Sequence, residues 1–152
     1  MHVGLISDTH GLMRPEAFDA LRDCERILHA GDIGDPGILA TLETIAPVTA
    51  IRGNNDTADW ARDLPEARVV QLGDVAVYML HDLKELAVRP AGRHVDVILA
   101  GHSHKPRVDT REGVLIVNPG SAGRRRFRLP ISVARLRIDG RRVETAIVEL
   151  DV

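Results

Sequence analysis

The chain has 152 residues, 28% of them charged, with a formal net charge of -2. That length suits one domain spanning 1–152, because folding a chain of this size removes roughly 70% of its unfolded surface from water. The near balance of charge gives no long-range attraction to nucleic acid as a structural partner or to an acidic membrane surface, so a small substrate is expected. No apolar run approaches the ~20 residues of a membrane span, no basic leader precedes the first strand, and the lone Cys24 cannot form an internal disulfide. A cytoplasmic protein in a reducing compartment is the expectation.

In chain order, residues 3–7 read as a buried strand. Residues 15–23 read as a helix, with Ala17, Phe18, Leu21 and Cys24 on one side and Cys24 as a buried structural thiol within it. A strand at 27–30 follows. Asp35 then caps a helix that has Pro36 at its first position and Ile38, Leu39, Leu42 and Ile45 at helical spacing. A strand at 48–51 completes an alternation that demands parallel pairing, since short loops cannot return the chain to a parallel neighbour. After Pro65 the pattern changes. Segments 68–72 and 75–80 flank Gly73 and Asp74 as an antiparallel hairpin, a helical stretch at 84–88 and a strand at 95–99 follow, and strands at 114–117, 131–138 and 143–150 finish the chain. The last two flank Asp139 and Gly140, a second hairpin signal. Two packed sheets covered by helices would use all these segments.

Five of the apolar runs end directly on residues able to hold a metal: Asp8 and His10, Asp32, Asn54, His81, and then His102 and His104. In open sheets with helical crossovers, ligands sit beyond the carboxyl ends of the strands, so residues far apart in sequence converge on one crevice. Each piece alone has a plainer reading. Asp8 and His10 could be a turn and a surface residue, Gly31 with Asp32 a strand end, and Gly53, Asn54, Asn55 and Asp56 a turn. Their conjunction favours a site. Asp8 and His10, two apart in extended backbone, point to one side while Thr9 points away.

Imidazole, carboxylate and amide oxygen together suit borderline or hard divalent ions, and the lack of a cysteine cluster argues against a structural zinc site. A pair of such ions about 3.5 to 4 Å apart can share a carboxylate and a hydroxide and neutralise a phosphoryl group during in-line attack. Phosphate ester hydrolysis is the chemistry such a site serves.

The ordered set Asp8-Thr9-His10, Gly31-Asp32, Gly53-Asn54-Asn55-Asp56, His81 and Gly101-His102-Ser103-His104 resembles the calcineurin-like metallophosphoesterases, specifically their small prokaryotic phosphodiesterase branch. The resemblance implies an α/β fold of the metallo-dependent phosphatase type, a four-layer α-β-β-α sandwich of two mixed β-sheets flanked by helices. It implies two divalent metal ions, Mn first, with Zn, Fe or Ni as alternatives. Asp8, His10 and His104 would hold one, Asn54, His81 and His102 the other, and Asp32 would bridge them. The implied activity is hydrolysis of small phosphate diesters by a metal-bridging hydroxide. Phosphomonoester hydrolysis and a non-catalytic protein-binding scaffold, like the retromer subunit that resembles this family, are the alternatives. A homo-oligomer is expected by resemblance alone.

The sequence departs from that pattern at two positions. Many relatives carry a histidine where Asn55 stands, and an amide cannot protonate a leaving group near neutral pH, so general-acid help of about 10²- to 10⁴-fold should be missing. Asn55 is expected to contact a phosphoryl oxygen instead, which makes it the candidate catalytic and substrate-binding residue, while Asp56 loses the histidine it would have oriented. Asp82 follows His81 where glycine is common. Among other residues, His29 reads as a core histidine beside the site, Trp60 as packing, and 118–121 as a loop beside the cleft. Arg124, Arg125, Arg126 and Arg128 around Phe127 fit a solvated loop, a subunit contact or a phosphate-gathering rim.

Overall fold

Alternating apolar residues decide which side of each strand is covered, and here both sides of the central strands are. Val75, Val77 and Met79 face one core while Ala76, Tyr78 and Leu80 face another, so strand β5 (Val75–Leu80) is buried throughout. The computed structural model describes residues 1–152 and contains two five-stranded sheets. The first has the order β10-β9-β1-β2-β3, with β1 at His2–Ile6, β2 at Arg26–His29, β3 at Val48–Ala50, β9 at Ser132–Asp139 and β10 at Arg142–Glu149. Strands β1, β2 and β3 run parallel, and the β9–β10 hairpin joins antiparallel through β1. The second has the order β4-β5-β6-β8-β7, with β4 at Ala67–Leu72, β6 at Val97–Leu99, β7 at Arg107–Arg111 and β8 at Val114–Asn118. Here β5, β6 and β8 are parallel, and β4 and β7 are antiparallel edges.

The sheets pack through Val3, Leu5, Leu28, Val77, Met79, Val97, Leu99 and Leu136. Helices α1 (Pro15–Leu21) and α2 (Pro36–Glu43) cover the outer face of the first sheet, with Leu21, Ile38 and Leu42 against Ile6, Ile27 and Val133. Asp35 caps α2 as its sequence position requires, its Oδ1 accepting from Gly37 N–H at 2.8 Å. The outer face of the second sheet has only a 3₁₀ segment, Leu83–Ala87, with Leu83 and Leu86 against Leu80, Ile98 and Ile116. The four layers are present, and the last is thin.

Several local expectations shift. Cys24 is buried, but it lies just beyond α1 rather than within it. The strand expected at 95–99 pairs only over Val97–Leu99. The final hairpin turns on Gly140 and Arg141, because Asp139 itself pairs with Arg142. Strand β7 was not anticipated: Arg107–Arg111 is a charged edge strand with a single valine, joined to β8 by Glu112 and Gly113, both at positive φ.

Candidate metal centre

The carboxyl ends of β1, β2, β5 and β6 deliver their following residues to one place. Ligand atoms of Asp8, His10 and His104 lie within 4.8 Å of one another, and so do those of Asp32, His81 and His102. Each group mixes residues that follow the two sheets. Asp8 Oδ1 is 3.4 Å from His104 Nε2 and 3.7 Å from both His10 Nε2 and His81 Nε2. Asp32 Oδ2 lies between the groups, 3.6 Å from His10 Nε2 and 3.1 Å from His81 Nε2. Asn54 lines the adjoining cleft, about 240 Å³ in volume, beside Arg52, His81, Asp82 and His102.

Two observations test whether these residues fit a cation. Asp8 Oδ1 and His81 Nε2 are buried without a hydrogen-bond partner, although each sits close to other ligand atoms. An orphaned buried polar atom costs about 1–3 kcal/mol, a penalty that coordination removes. His10 Nε2 and His104 Nε2 face each other at 3.3 Å, a separation that needs a shared proton or a cation to be comfortable. The residues fit, and each group has the composition to hold a divalent ion.

The second polar atoms of Asp8 and His81 are tied up, which aims the free ones, whereas His104 Nδ1 is buried without a partner. Asp8 Oδ2 accepts from Ser7 Oγ–H (2.7 Å) and His102 N–H (3.0 Å), leaving Oδ1 for the centre. His81 Nδ1–H donates to the Ala30 carbonyl at 2.7 Å, which turns Nε2 inward. Asn118 Nδ2 donates to Gly101 O (2.9 Å) and Ser103 Oγ (3.0 Å), bracing the segment that carries His102 and His104. His29 is fully buried outside both groups. Its Nδ1 accepts from Gly31 N–H (3.1 Å), and Nε2–H reaches Thr9 Oγ1 (3.0 Å), whose own proton goes to Ile33 O (2.8 Å). Burial pushes His29 down to about 4, so it stays neutral.

The electrostatics follow from crowding. Burial raises the Asp8 carboxyl, but His10, His104, the charge of His81 and the Ser7 hydroxyl outweigh it and hold the group well below the usual carboxylate range. Burial likewise opposes charge on His81, yet Asp32, Asp8 and the Ala30 carbonyl carry it up to about 9. Contact with Asp8 raises His10 against its burial, and His81 with the Asn55 N–H lowers Asp32 against its own.

Two features were invisible in the sequence. Asp8, His10, Asp32, His102 and His104 all have φ between +46° and +70°, the left-handed region that L-residues avoid at about 1–2 kcal/mol each. Such strain clusters where a site dictates side-chain direction. Asp56 is the second. Its buried carboxylate accepts from Gly53 N–H (2.9 Å), Ile33 N–H (3.1 Å) and Gly34 N–H (3.1 Å), which fastens the Asp32 segment to the Asn54 segment. It therefore has partners without the histidine it was expected to miss. Asn55 was expected to face substrate, but its N–H and Nδ2–H donate to Asp32 Oδ1 (2.9 Å) and Oδ2 (3.0 Å). Gly53 is forced by the same packing, since a Cβ there would fall 2.8 Å from Asp32 Cγ. Asp82 needs no glycine, its φ being -113°, and Trp60 packs on the helix-side core.

A two-sheet sandwich whose parallel strands end on imidazole and carboxylate groups gathers side chains of the kind that hold divalent cations. Residues 1–141 match the family model described as the calcineurin-like phosphoesterase superfamily domain, and the chain belongs to that superfamily. It is 39% identical to a probable metallophosphoesterase of Methanothermobacter thermautotrophicus, over 97% of this chain and 92% of that one. A phosphodiesterase of Methanocaldococcus jannaschii is 27% identical, over 79% of this chain and 83% of the relative. The fold also resembles wild-type Vps29 complexed with Zn²⁺ from Entamoeba histolytica, with a TM-score of 0.76 and 22% identity over 99% and 100% of the two chains. Family membership supports hydrolysis of phosphate esters and binding of divalent metal. No helix is long and apolar enough to cross a membrane.

Proposed function

We propose that the chain is a phosphodiesterase working with two divalent ions, Mn first among them, with Zn, Fe and Ni as alternatives. Asp8, His10 and His104 would hold one ion, Asn54, His81 and His102 would hold the other, and Asp32 would be shared between them. The observation that carries this reading is the pair of mixed groups around Asp8 Oδ1 and His81 Nε2, two buried atoms with no partner of their own. Bound there, such ions lower the pKa of water and neutralise the phosphoryl oxygens of an ester.

The protein's own part is orientation. Ser7 and the His102 N–H fix Asp8, the Ala30 carbonyl fixes His81, and Asn55 fixes Asp32 through its backbone N–H and one Nδ2–H. Asn55 thus serves the reaction by holding the joining carboxylate, and its second Nδ2–H is left for a phosphoryl oxygen. It carries no transferable proton, so leaving groups that depart as anions are favoured and diesters with good leaving groups are the substrate class. A protein-binding scaffold is the competing reading, given the likeness to Vps29. Six chemically competent side chains gathered in two adjoining groups, with Asn54 in the cleft beside one of them, favour hydrolysis. The test is metal analysis together with Mn-dependent cleavage of bis-p-nitrophenyl phosphate, activity that Asp32→Asn abolishes. A folded, metal-loaded chain that cleaves no phosphate ester overturns the proposal.

A further inference from the structure

The segment after β8 returns to the metal centre before it turns outward. Ser121 Oγ–H donates to the Asp8 carbonyl (3.1 Å) and Ala122 N–H to the Ser7 carbonyl (3.1 Å), while a Cβ on Gly123 would collide with the Thr9 carbonyl. Arg14 Nε–H closes the joint by donating to Gly123 O at 2.7 Å. The loop 124–128 therefore springs from the Asp8–His10 side of the centre.

That loop is unpaired in two respects. Arg124, Arg125, Arg126 and Arg128 are all exposed, and none meets a carboxylate of the chain. Only Arg125 is engaged, through the Leu129 and Val152 carbonyls. Phe127 sits among them 88% exposed, with φ at +54°. An aromatic residue in left-handed backbone is strained, and no internal packing of its ring repays the strain. Uncompensated guanidinium groups and a presented ring, next to a site for phosphate esters, form a surface that needs an anionic, stackable ligand.

We infer that the loop 124–128 binds the anionic, base-bearing arm of a nucleotide-type phosphodiester, with the arginines on its flanking phosphates and Phe127 under a base. The inference rests on the phosphodiesterase reading for the bond to be cleaved. One exposed ring stacks one base, which fits a short nucleotide rather than a long strand. Guanidinium groups are suited to phosphate oxygens through paired N–H donors. A net charge of -2 is no obstacle, because screening confines the interaction to within about 8 to 10 Å of the loop.

The probe is a 3′-fluorescein tetrathymidylate with a 5′-phosphate, titrated by anisotropy against the full chain in EDTA, so that binding is read without metal. Replacing Arg124, Arg126 and Arg128 together by Ala removes no internal hydrogen bond. It is expected to raise Kd at least tenfold and to flatten the salt dependence by about 2, at roughly 0.7 per phosphate released. Phe127→Ala is expected to raise Kd about fivefold or more, at the lower end of base stacking, with the salt slope unchanged. In the Mn-loaded chain, the triple replacement should lower kcat/KM for the tetranucleotide at least tenfold more than for bis-p-nitrophenyl phosphate.

Wild-type binding by both variants overturns the inference. So does tighter, loop-dependent binding to phosphatidylserine vesicles, which would make the loop a membrane contact, or a dimer seen by sedimentation that the triple replacement dissolves. Loop-dependent binding without cleavage of either ester would support the surface and sink the phosphodiesterase reading instead.

Discussion

Asp56 touches no candidate ligand atom, yet its removal should loosen the centre. Its carboxylate is 5% exposed and accepts three backbone N–H bonds, two at Oδ2 from Gly53 and Ile33 and one at Oδ1 from Gly34. In Asp56→Asn the amide oxygen can replace Oδ2, but the amide nitrogen then faces Gly34 N–H, donor against donor. One charge-assisted bond, worth about 1.5–3 kcal/mol, is lost and two weaken to neutral strength near 1 kcal/mol. The sum is at least about 3 kcal/mol, a large share of the 5–15 kcal/mol that holds a typical domain together. Asp56→Ala strands the N–H groups of Ile33 and Gly53 in buried surroundings and should cost about 5 kcal/mol. With a urea m-value of about 2 kcal/mol/M, the Asn variant's midpoint in EDTA falls by about 1.5 M. Because Asp56 ties the Asp32 segment to the Asn54 segment, Mn affinity measured calorimetrically should also fall about 10- to 100-fold, the range for groups that orient ligands. A metal-free Asp56→Asn protein within about 0.5 kcal/mol of wild type would refute the reasoning.

Other expectations follow from the same geometry. His81 is raised from 6.5 to about 9, so in the metal-free chain it contributes about 3 kcal/mol that is fully present below pH 6.5 and lost as pH rises through 9. Thermal unfolding in EDTA should show stability declining over that window. Cation binding needs the neutral imidazole, so apparent Mn affinity should rise up to about tenfold per pH unit towards pH 9, with proton release seen by calorimetry in buffers of different ionisation enthalpy. His102 is only half-buried and has φ at +70°. His102→Gly should therefore be about 1 kcal/mol more stable than His102→Ala in EDTA, and both should lose metal-dependent stabilisation equally. Asn55→His should speed cleavage of unactivated diesters about 10- to 100-fold relative to activated ones, and unchanged relative rates would dismiss the missing-acid explanation.

The centre was readable in the sequence because a strand is an apolar run with a visible end, and the residues after those ends differ in chemistry from everything around them. Asp8, Asp32, His81 and His102 stand out for that reason. Strand β7 did not, since an edge strand written Arg-Val-Asp-Thr-Arg has no covered face to set an alternation. Its one signal was the glycine of Glu112–Gly113, immediately before a clear strand. The left-handed backbone of the candidate ligand residues leaves only a faint trace in residue type, because Asp and His enter that region more readily than most residues yet are found far more often outside it. Asp56 read as a turn residue. Its three partners are backbone groups, which look alike in any sequence.

Each of the two ligand groups draws on both sheets: Asp8 and His10 with His104, and Asp32 with His81 and His102. A cation seated in either group is then a further clasp between halves that adhere through apolar contact and a few hydrogen bonds, His81 to the Ala30 carbonyl and His102 N–H to Asp8 among them. Withdrawing it would leave the sandwich shut but less firmly fastened at this end of its strands, so the protein's lifetime against unfolding should track the metal supply of its surroundings.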